Sequence, residues 1–332
     1  MPRGADGSGS TLFGRPSSPA PANDWSPFTG WQIEIRHGLQ RAMVVEVGAG
    51  LREYEVDGQP VLDGYASDTM AEGGAGLPLL PWPNRLADGE YVFEGQALRL
   101  PIDDVTRRNA MHGLTRWLNW RVADQAVDAV RMELILHPRM GYPFALRLSI
   151  EYTLGANGLG VRTEAHNVGK RALPFGAGQH PYLTVSTPFV DTAILELPAH
   201  ARVELDPERM LPTGALLRVD TPPAEYDFRT ARPVGPLVLD DCFAQLDREN
   251  DGLARARLSH PLSGRKVTMW LDASYGYLQV FSGETLPPAR RRRSLAIEPM
   301  SCPPNAFRTG ADLIVLQPDE TRSLAWGLTC TV

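Results

Sequence analysis

Alternation of apolar and polar side chains is clearest between Ala145 and Leu154. There Leu146, Leu148, Ile150 and Tyr152 fall on one side of an extended chain and Arg147, Ser149, Glu151 and Thr153 on the other. A period of two is the signature of a strand with one wet face. Comparable short runs recur at Ala42 to Val47, Arg52 to Val56, Ala97 to Leu100, Val130 to His137 and Gly160 to Asn167. They continue at Ala193 to Leu197, Ala254 to Ser259, Lys266 to Leu271, Gly276 to Phe281, Ser294 to Glu298, Leu313 to Leu316 and Thr321 to Thr331. Gly, Pro, Asn and Asp separate them, as expected for strands joined by turns. Gly155-Ala156-Asn157-Gly158 between two such runs predicts a hairpin. No segment keeps a helical period for three turns, and no fixed repeat suggests a propeller. The pattern predicts an all-β protein, a large antiparallel β-sandwich.

Composition narrows what such a sandwich could serve. With 39 acidic residues against 33 basic ones the net charge is -6, which disfavours nucleic acid or an anionic membrane as the main partner. Three cysteines, Cys242, Cys302 and Cys330, lie far apart, with neither a zinc spacing nor an even count for a disulfide framework. A reducing, cytoplasmic setting is the expectation. No apolar run approaches the roughly 20 residues of a membrane span. Residues 1–27, rich in Gly, Ser, Pro and Ala and without the apolar core of a signal peptide, read as a disordered leader.

Candidate chemistry collects in three places. The first is Phe175 to Val185, which carries His180 out of a glycine-rich turn and beside Pro181. An imidazole held by its neighbours can act as a general acid near neutral pH, although a half-buried histidine satisfied by backbone groups has the same local sequence. The second is Leu77 to Glu90, where three prolines stiffen a loop presenting Asn84 and Arg85, followed by Asn109-Ala-Met-His-Gly with His112. An amide beside a guanidinium can bind vicinal hydroxyls, and a solvated arginine is the bland alternative. Three prolines in so few residues predict a loop without regular structure. The third is Glu298, at the end of an apolar strand and followed by Pro299. A carboxylate there needs either a partner, such as Arg85, or a task.

Taken in order, Asn84-Arg85, Met111-His112-Gly113, His180-Pro181-Tyr182, Asp240-Asp241-Cys242-Phe243, Gln279 and Glu298-Pro299 resemble the aldose 1-epimerase (galactose mutarotase) family from about Trp31 to Val332. The resemblance implies a galactose mutarotase-like supersandwich over residues 28–332 as a single domain, with a sugar bound in an open cleft. It implies His180 as general acid and Glu298 as general base, and Asn84, Arg85, His112, Tyr182, Asp240 and Gln279 as residues that hold sugar hydroxyls. Asp240 matches the family's single aspartate better than Asp241, because Phe243 follows three residues later. Where better-characterised members have asparagine before the catalytic histidine, this chain has Gln179. Neither a metal nor an organic cofactor is implied; the partner is a small-molecule sugar and the protein a monomer or homodimer. The implied reaction interconverts the α and β anomers of a free aldose hexose such as glucose or galactose. It starts from a Glu298 carboxylate and a His180 imidazolium, which a carboxylate such as Asp240 could keep charged. Two alternatives stand beside it. One is a hexose-6-phosphate 1-epimerase, suggested by Arg107-Arg108 and the run Arg290 to Arg293; the other is a sugar-binding β-sandwich without turnover.

Overall fold

The computed structural model describes residues 27–331; the leader expected over residues 1–27 lies, Pro27 aside, outside them. Among the described residues the chain is nearly all β, with a single four-residue α-helix, Ala306–Thr309. All thirteen predicted strands are present, with ends displaced by no more than about two residues, a normal uncertainty for assigned boundaries. Leu146–Gly155 and Gly158–Asn167 form the predicted hairpin, closed by Ala156 and Asn157.

Two large antiparallel sheets dominate. A nine-stranded sheet runs in the order Arg121–Gln125, Ala129–Leu136, Leu146–Gly155, Gly158–Asn167, Thr321–Thr331, Lys266–Leu271, Ala254–Ser259, Ile194–Glu196, Arg232–Pro233. A second sheet runs Pro212–Arg218, Ala199–Leu205, Asp240–Leu246, Tyr277–Phe281, Leu295–Met300, Gly178–Gln179, Pro78–Leu79, with Tyr182–Leu183 also paired to Leu295–Met300. A four-stranded sheet, Gln32–His37 to Gln59–Pro60, packs beside them. Leu146, Leu148, Ile150 and Tyr152 are all buried in one continuous core with Leu278, Val280, Leu295 and Ile297 from the second sheet. Burial of these aliphatic faces at about 25 cal/mol per Å² is the main force holding the sheets together. On the second sheet the alternate positions Asp240, Gln279, Phe281, Ala296 and Glu298 therefore face away from that core, because successive side chains point to opposite faces.

The prolines after Leu77 do not exclude regular structure. Pro78–Leu79 pairs with Gly178–Gln179 at the sheet margin, where a missing N–H is tolerated. Arg85–Ala87 pairs with Asn109–Met111, and Arg85 stands opposite Met111. Two motifs 27 residues apart in sequence are thus made adjacent by one short ladder.

Candidate active site

His180 and Glu298 are brought together by strand register. Gly178 pairs with Met300 and Tyr182 with Ala296, so His180, midway between, falls opposite Glu298. Gln279 is the cross-strand partner of Glu298 on the other side, and Asp240 opens the next strand, opposite Phe281. The resulting cavity of about 610 Å³ is lined by Asn84, Arg85, His112, His180, Tyr182, Asp240 and Glu298 among others. Seven of the eight residues singled out in the sequence therefore meet around one concavity.

The eighth, Gln279, is not on the cavity wall. It is buried, and its Nε2 donates to Asp240 Oδ1 at 2.7 Å. Through Nε2 it orients the aspartate that does face the cavity, while its Oε1 has no protein partner. Tyr182 lines the cavity with its ring, stacked on His180 at 4.9 Å and 20°, while its hydroxyl donates to the Gly73 carbonyl at 3.0 Å. The choice between the adjacent aspartates is also resolved. Asp241 points to the other side of the strand, where it accepts from Arg202 at 2.9 Å, and Asp240 faces the cavity.

Asn84 and His112 lock each other. The Asn84 N–H donates to His112 Nδ1 at 3.1 Å and the His112 N–H donates to the Asn84 carbonyl at 2.9 Å. With Nδ1 accepting, a neutral His112 carries its proton on Nε2, the nitrogen left free to donate. Both residues have positive φ, 55° and 59°, a conformation that costs energy for non-glycine residues and is commonly retained at functional sites. Asn84 Oδ1 accepts from the Arg85 N–H at 2.8 Å. The Arg85 guanidinium sits 3.5 Å from both Asp104 and Asp240. Neither Arg85 nor Asp240 is bonded to His180, so the expected role of Asp240 in keeping an imidazolium charged is replaced by another arrangement.

That arrangement is the contact of His180 Nε2 with Glu298 Oε1 at 3.3 Å, between side chains only 6% and 2% exposed. The distance would suit an ion pair, but burial opposes charge on both partners. Burial pushes the His180 imidazole down to about 3; the nearby His180 backbone opposes this, and Arg116 and Arg290 add to the fall. Burial raises the Glu298 carboxyl well above its ordinary range; Asp240 adds to the rise and Arg85 offsets part of it. The physical reading is one proton shared by the pair, which leaves it without net charge whichever partner holds the proton. The starting pair of carboxylate and imidazolium is one tautomer of that state, and burial favours the other. His180 Nδ1 and Glu298 Oε2 have no protein partner. His180 is thus not a ring satisfied by backbone groups, and Glu298 is not paired with Arg85. His112 is also held well below its usual range, by burial first and then by Arg116, His180 and Arg85.

Arg116 is a wall residue that sequence reading missed. Its Nη2 donates to Asp103 at 2.7 Å and to the Met111 carbonyl at 2.9 Å, which fixes the strand end that carries His112. The only signal was its place three residues after Gly113. Phe281, also on the wall, could have been read from its position two residues after Gln279 on the same strand face. Among the described residues no group of three or more His, Cys, Asp or Glu is arranged to hold a metal ion.

Comparison with known proteins agrees with this geometry. The chain is 34% identical to the uncharacterized protein YihR of Escherichia coli K12 over 301 residues, covering 90% of this chain and 93% of the relative. It is 25% identical to the uncharacterized protein YphB of the same organism over 292 residues, covering 86% and 94%. Among solved structures, the GalM/aldose epimerase homologue from C. elegans superposes with a TM-score of 0.80 at 20% identity, covering 91% of this chain and 98% of that one. Galactose 1-epimerase from Lactobacillus acidophilus superposes with a TM-score of 0.74 at 19% identity, covering 91% and 95%. The aldose 1-epimerase family model matches residues 32–328, nearly all of the described sandwich and every residue of the cavity discussed above, and the chain belongs to that family.

Proposed function

We propose that the protein is an aldose 1-epimerase that interconverts the α and β anomers of a free aldose hexose. The observation that carries this reading is the opposition of His180 and Glu298 at 3.3 Å on the cavity wall. An anomeric carbon bears two oxygens, the hydroxyl O1 and the ring oxygen. A proton donor and a proton acceptor this close can serve both at once. The pair's proton moves to His180, leaving Glu298 as the base. Glu298 takes the O1 proton as His180 gives its proton to the ring oxygen, and the bond from C1 to the ring oxygen breaks to give the open aldehyde. Rotation about C1–C2 turns the other face of the carbonyl toward the hydroxyl. The same two groups then exchange protons in reverse, and the ring closes as the other anomer. Asn84, Arg85, His112 and Asp240 supply the hydrogen-bonding groups that would hold the remaining hydroxyls.

Three of the six arginines that suggested a phosphorylated substrate are paired with carboxylates, although the Arg290 guanidinium also lies 5.4 Å over the Tyr182 ring. Arg108 pairs with Asp88, Arg290 with Asp63, and Arg292 with Asp191 and Glu284. None of Arg107, Arg108 or Arg290 to Arg293 is on the cavity wall. This supports the free sugar over the phosphosugar. An acid–base pair turned into the cavity argues against a protein that only binds, since binding needs no proton transfer.

Polarimetry on freshly dissolved α-D-glucose and α-D-galactose tests the reading. The wild-type protein should accelerate mutarotation of at least one of them. Glu298→Gln should lower kcat by about 10² to 10⁴ with little change in KM, because the amide keeps the shape but cannot accept the O1 proton. His180→Asn should behave alike, and the double variant should be far less than additively worse, as for groups that act on one step. Near wild-type turnover by Glu298→Gln would overturn the assignment of the base.

A further inference from the structure

We infer that Arg290 is a positioning residue for the acid–base pair, acting on His180 through the ring of Tyr182. This rests on the mutarotase reading of the cavity. Within the run Arg290 to Arg293, Arg291 is exposed, Arg292 pairs with Asp191 and Glu284, and Arg293 lies over Phe189 at 4.6 Å. Arg290 is the one set against a residue of the cavity wall. Its guanidinium carbon lies 5.4 Å from the centroid of the Tyr182 ring, and that ring is stacked on the His180 imidazole at 4.9 Å. The Arg290 side chain is only 16% exposed. A cation withdrawn from water over an aromatic face is held there by the negative face of the ring.

Asp63 holds both partners of this contact. Its N–H donates to the Tyr182 carbonyl at 2.9 Å, and its carboxylate accepts from Arg290 Nη2 at 3.2 Å and from the Ser294 hydroxyl at 2.8 Å. Arg290 Nη1 also reaches the Glu72 carbonyl at 3.5 Å, in the short turn Glu72–Gly74. The Gly73 carbonyl of that turn accepts the Tyr182 hydroxyl, and Gly74 packs on the imidazole, where an added Cβ would fall 3.2 Å from His180 Cδ2. One guanidinium thus joins the ring stacked on His180 to the turn that covers it. Arg290 is not on the cavity wall, so it does not hold the sugar. His180 must meet Glu298 and the ring oxygen at once, and a displacement of about 1 Å at a reacting group can cost about 10²-fold in rate. The charge of Arg290 pulls the other way. After burial, which dominates, and alongside Arg116, it disfavours a proton on His180, so a purely electrostatic part would make its removal raise kcat. Positioning requires a fall.

The test uses an aldose that the wild-type protein turns over. Arg290→Gln keeps a donor for Asp63 but removes the cation, and it should lower kcat about tenfold with KM changed by less than about twofold. Arg290→Lys restores a cation and should recover most of kcat. Arg291→Gln, the same charge change on an exposed neighbour, should leave both constants as they are. In a Tyr182→Leu background Arg290→Gln should have no further effect, because the ring through which it acts is gone. The inference is overturned by an unchanged or raised kcat in Arg290→Gln, by an equal fall in Arg291→Gln, by no recovery in Arg290→Lys, or by full additivity with Tyr182→Leu. A readout without turnover separates its failure from that of the mutarotase reading. Stacking on Tyr182 shifts the His180 ring protons in the NMR spectrum by ring current, and their signals are assigned by their loss in His180→Asn. That shift should persist in Arg290→Lys and diminish in Arg290→Gln whether or not any sugar reacts; the same shift in Arg290→Gln as in wild type overturns the inference. Should Arg290→Gln fail to fold, Arg290→Met combined with Asp63→Asn, which leaves no unpaired carboxylate, takes its place in each comparison.

Discussion

His180 shows at the scale of one residue how burial sets function and stability together. Its imidazole is held down to about 3 by burial, whereas in the unfolded chain it titrates near 6.5. Between those values the unfolded chain binds the extra proton and the folded protein does not, so stability falls as pH falls through 6.5. A group shifted this far contributes a loss of about 2 kcal/mol between pH 6.5 and about 5. Glu298 works in the opposite sense: its folded carboxyl keeps a proton above 4.5, so its contribution to stability declines as pH rises above that value. His180→Asn should therefore lose less stability than wild type on acidification from pH 6.5 to about 5, read by urea denaturation at each pH. Equal acid sensitivity of the two proteins would show that His180 is not the neutral buried base described. The residue type and its turn were legible in the sequence; its environment was not, because desolvation depends on what the remainder of the chain places around it.

Short paired elements, more than long ones, shape the cavity wall. The ladder between Arg85–Ala87 and Asn109–Met111 ends at His112, and Gly113 then lies against Leu80. Gly113 has φ +77°, and a Cβ built on it would fall 1.9 Å from the Leu80 carbonyl oxygen. No side chain fits without moving that backbone. Gly113→Ala should cost about 3 kcal/mol or more, combining left-handed strain with the clash. Gly38→Ala is the control, since Gly38 also has positive φ but open space around it, and it should cost about 1–2 kcal/mol. Similar losses in both would show that the contact with Leu80 is not the constraint. At this scale the sequence is uneven in what it reveals. Strongly alternating runs are plain, but Arg121–Gln125 is an exposed edge strand with no apolar face to signal it. Asp240–Leu246, a central strand, begins with two carboxylates that interrupt its apolar run, and it is not among the predicted strands. Ala199–Leu205 alternates, but with alanines at two of its buried positions, and alanine is a weak strand former.

Across the whole molecule the site depends on the packing of one sheet on the other. Tyr152, in the nine-stranded sheet, donates from its hydroxyl to the Ala49 carbonyl at 2.7 Å and accepts from Gln179 Nε2 at 3.0 Å. Gln179 Nε2 also donates to the Gly76 carbonyl at 3.1 Å, and the Gly76 N–H donates to His180 at 2.9 Å. The residue that replaces the usual asparagine thus ties the backbone at His180 to the opposite sheet. Tyr152→Phe leaves the Ala49 carbonyl and an amide hydrogen of Gln179 unpaired in the core, which should cost about 1–3 kcal/mol. It should also lower kcat while leaving KM nearly unchanged. A stability loss with kcat intact would limit this chain of bonds to a structural role. By itself the sequence determined the strand-forming pattern, the antiparallel hairpin at Ala156-Asn157 and the residue types available for proton transfer, because side-chain alternation and turn chemistry are local properties of the chain. Tertiary structure alone decided that Glu298 faces His180 rather than Arg85, that Asp240 and not Asp241 enters the cavity, and that Gln279 donates to Asp240. Those outcomes follow from strand register, in which a shift of one residue turns every side chain to the other face, and register is fixed only when distant strands pair and the common core closes over them.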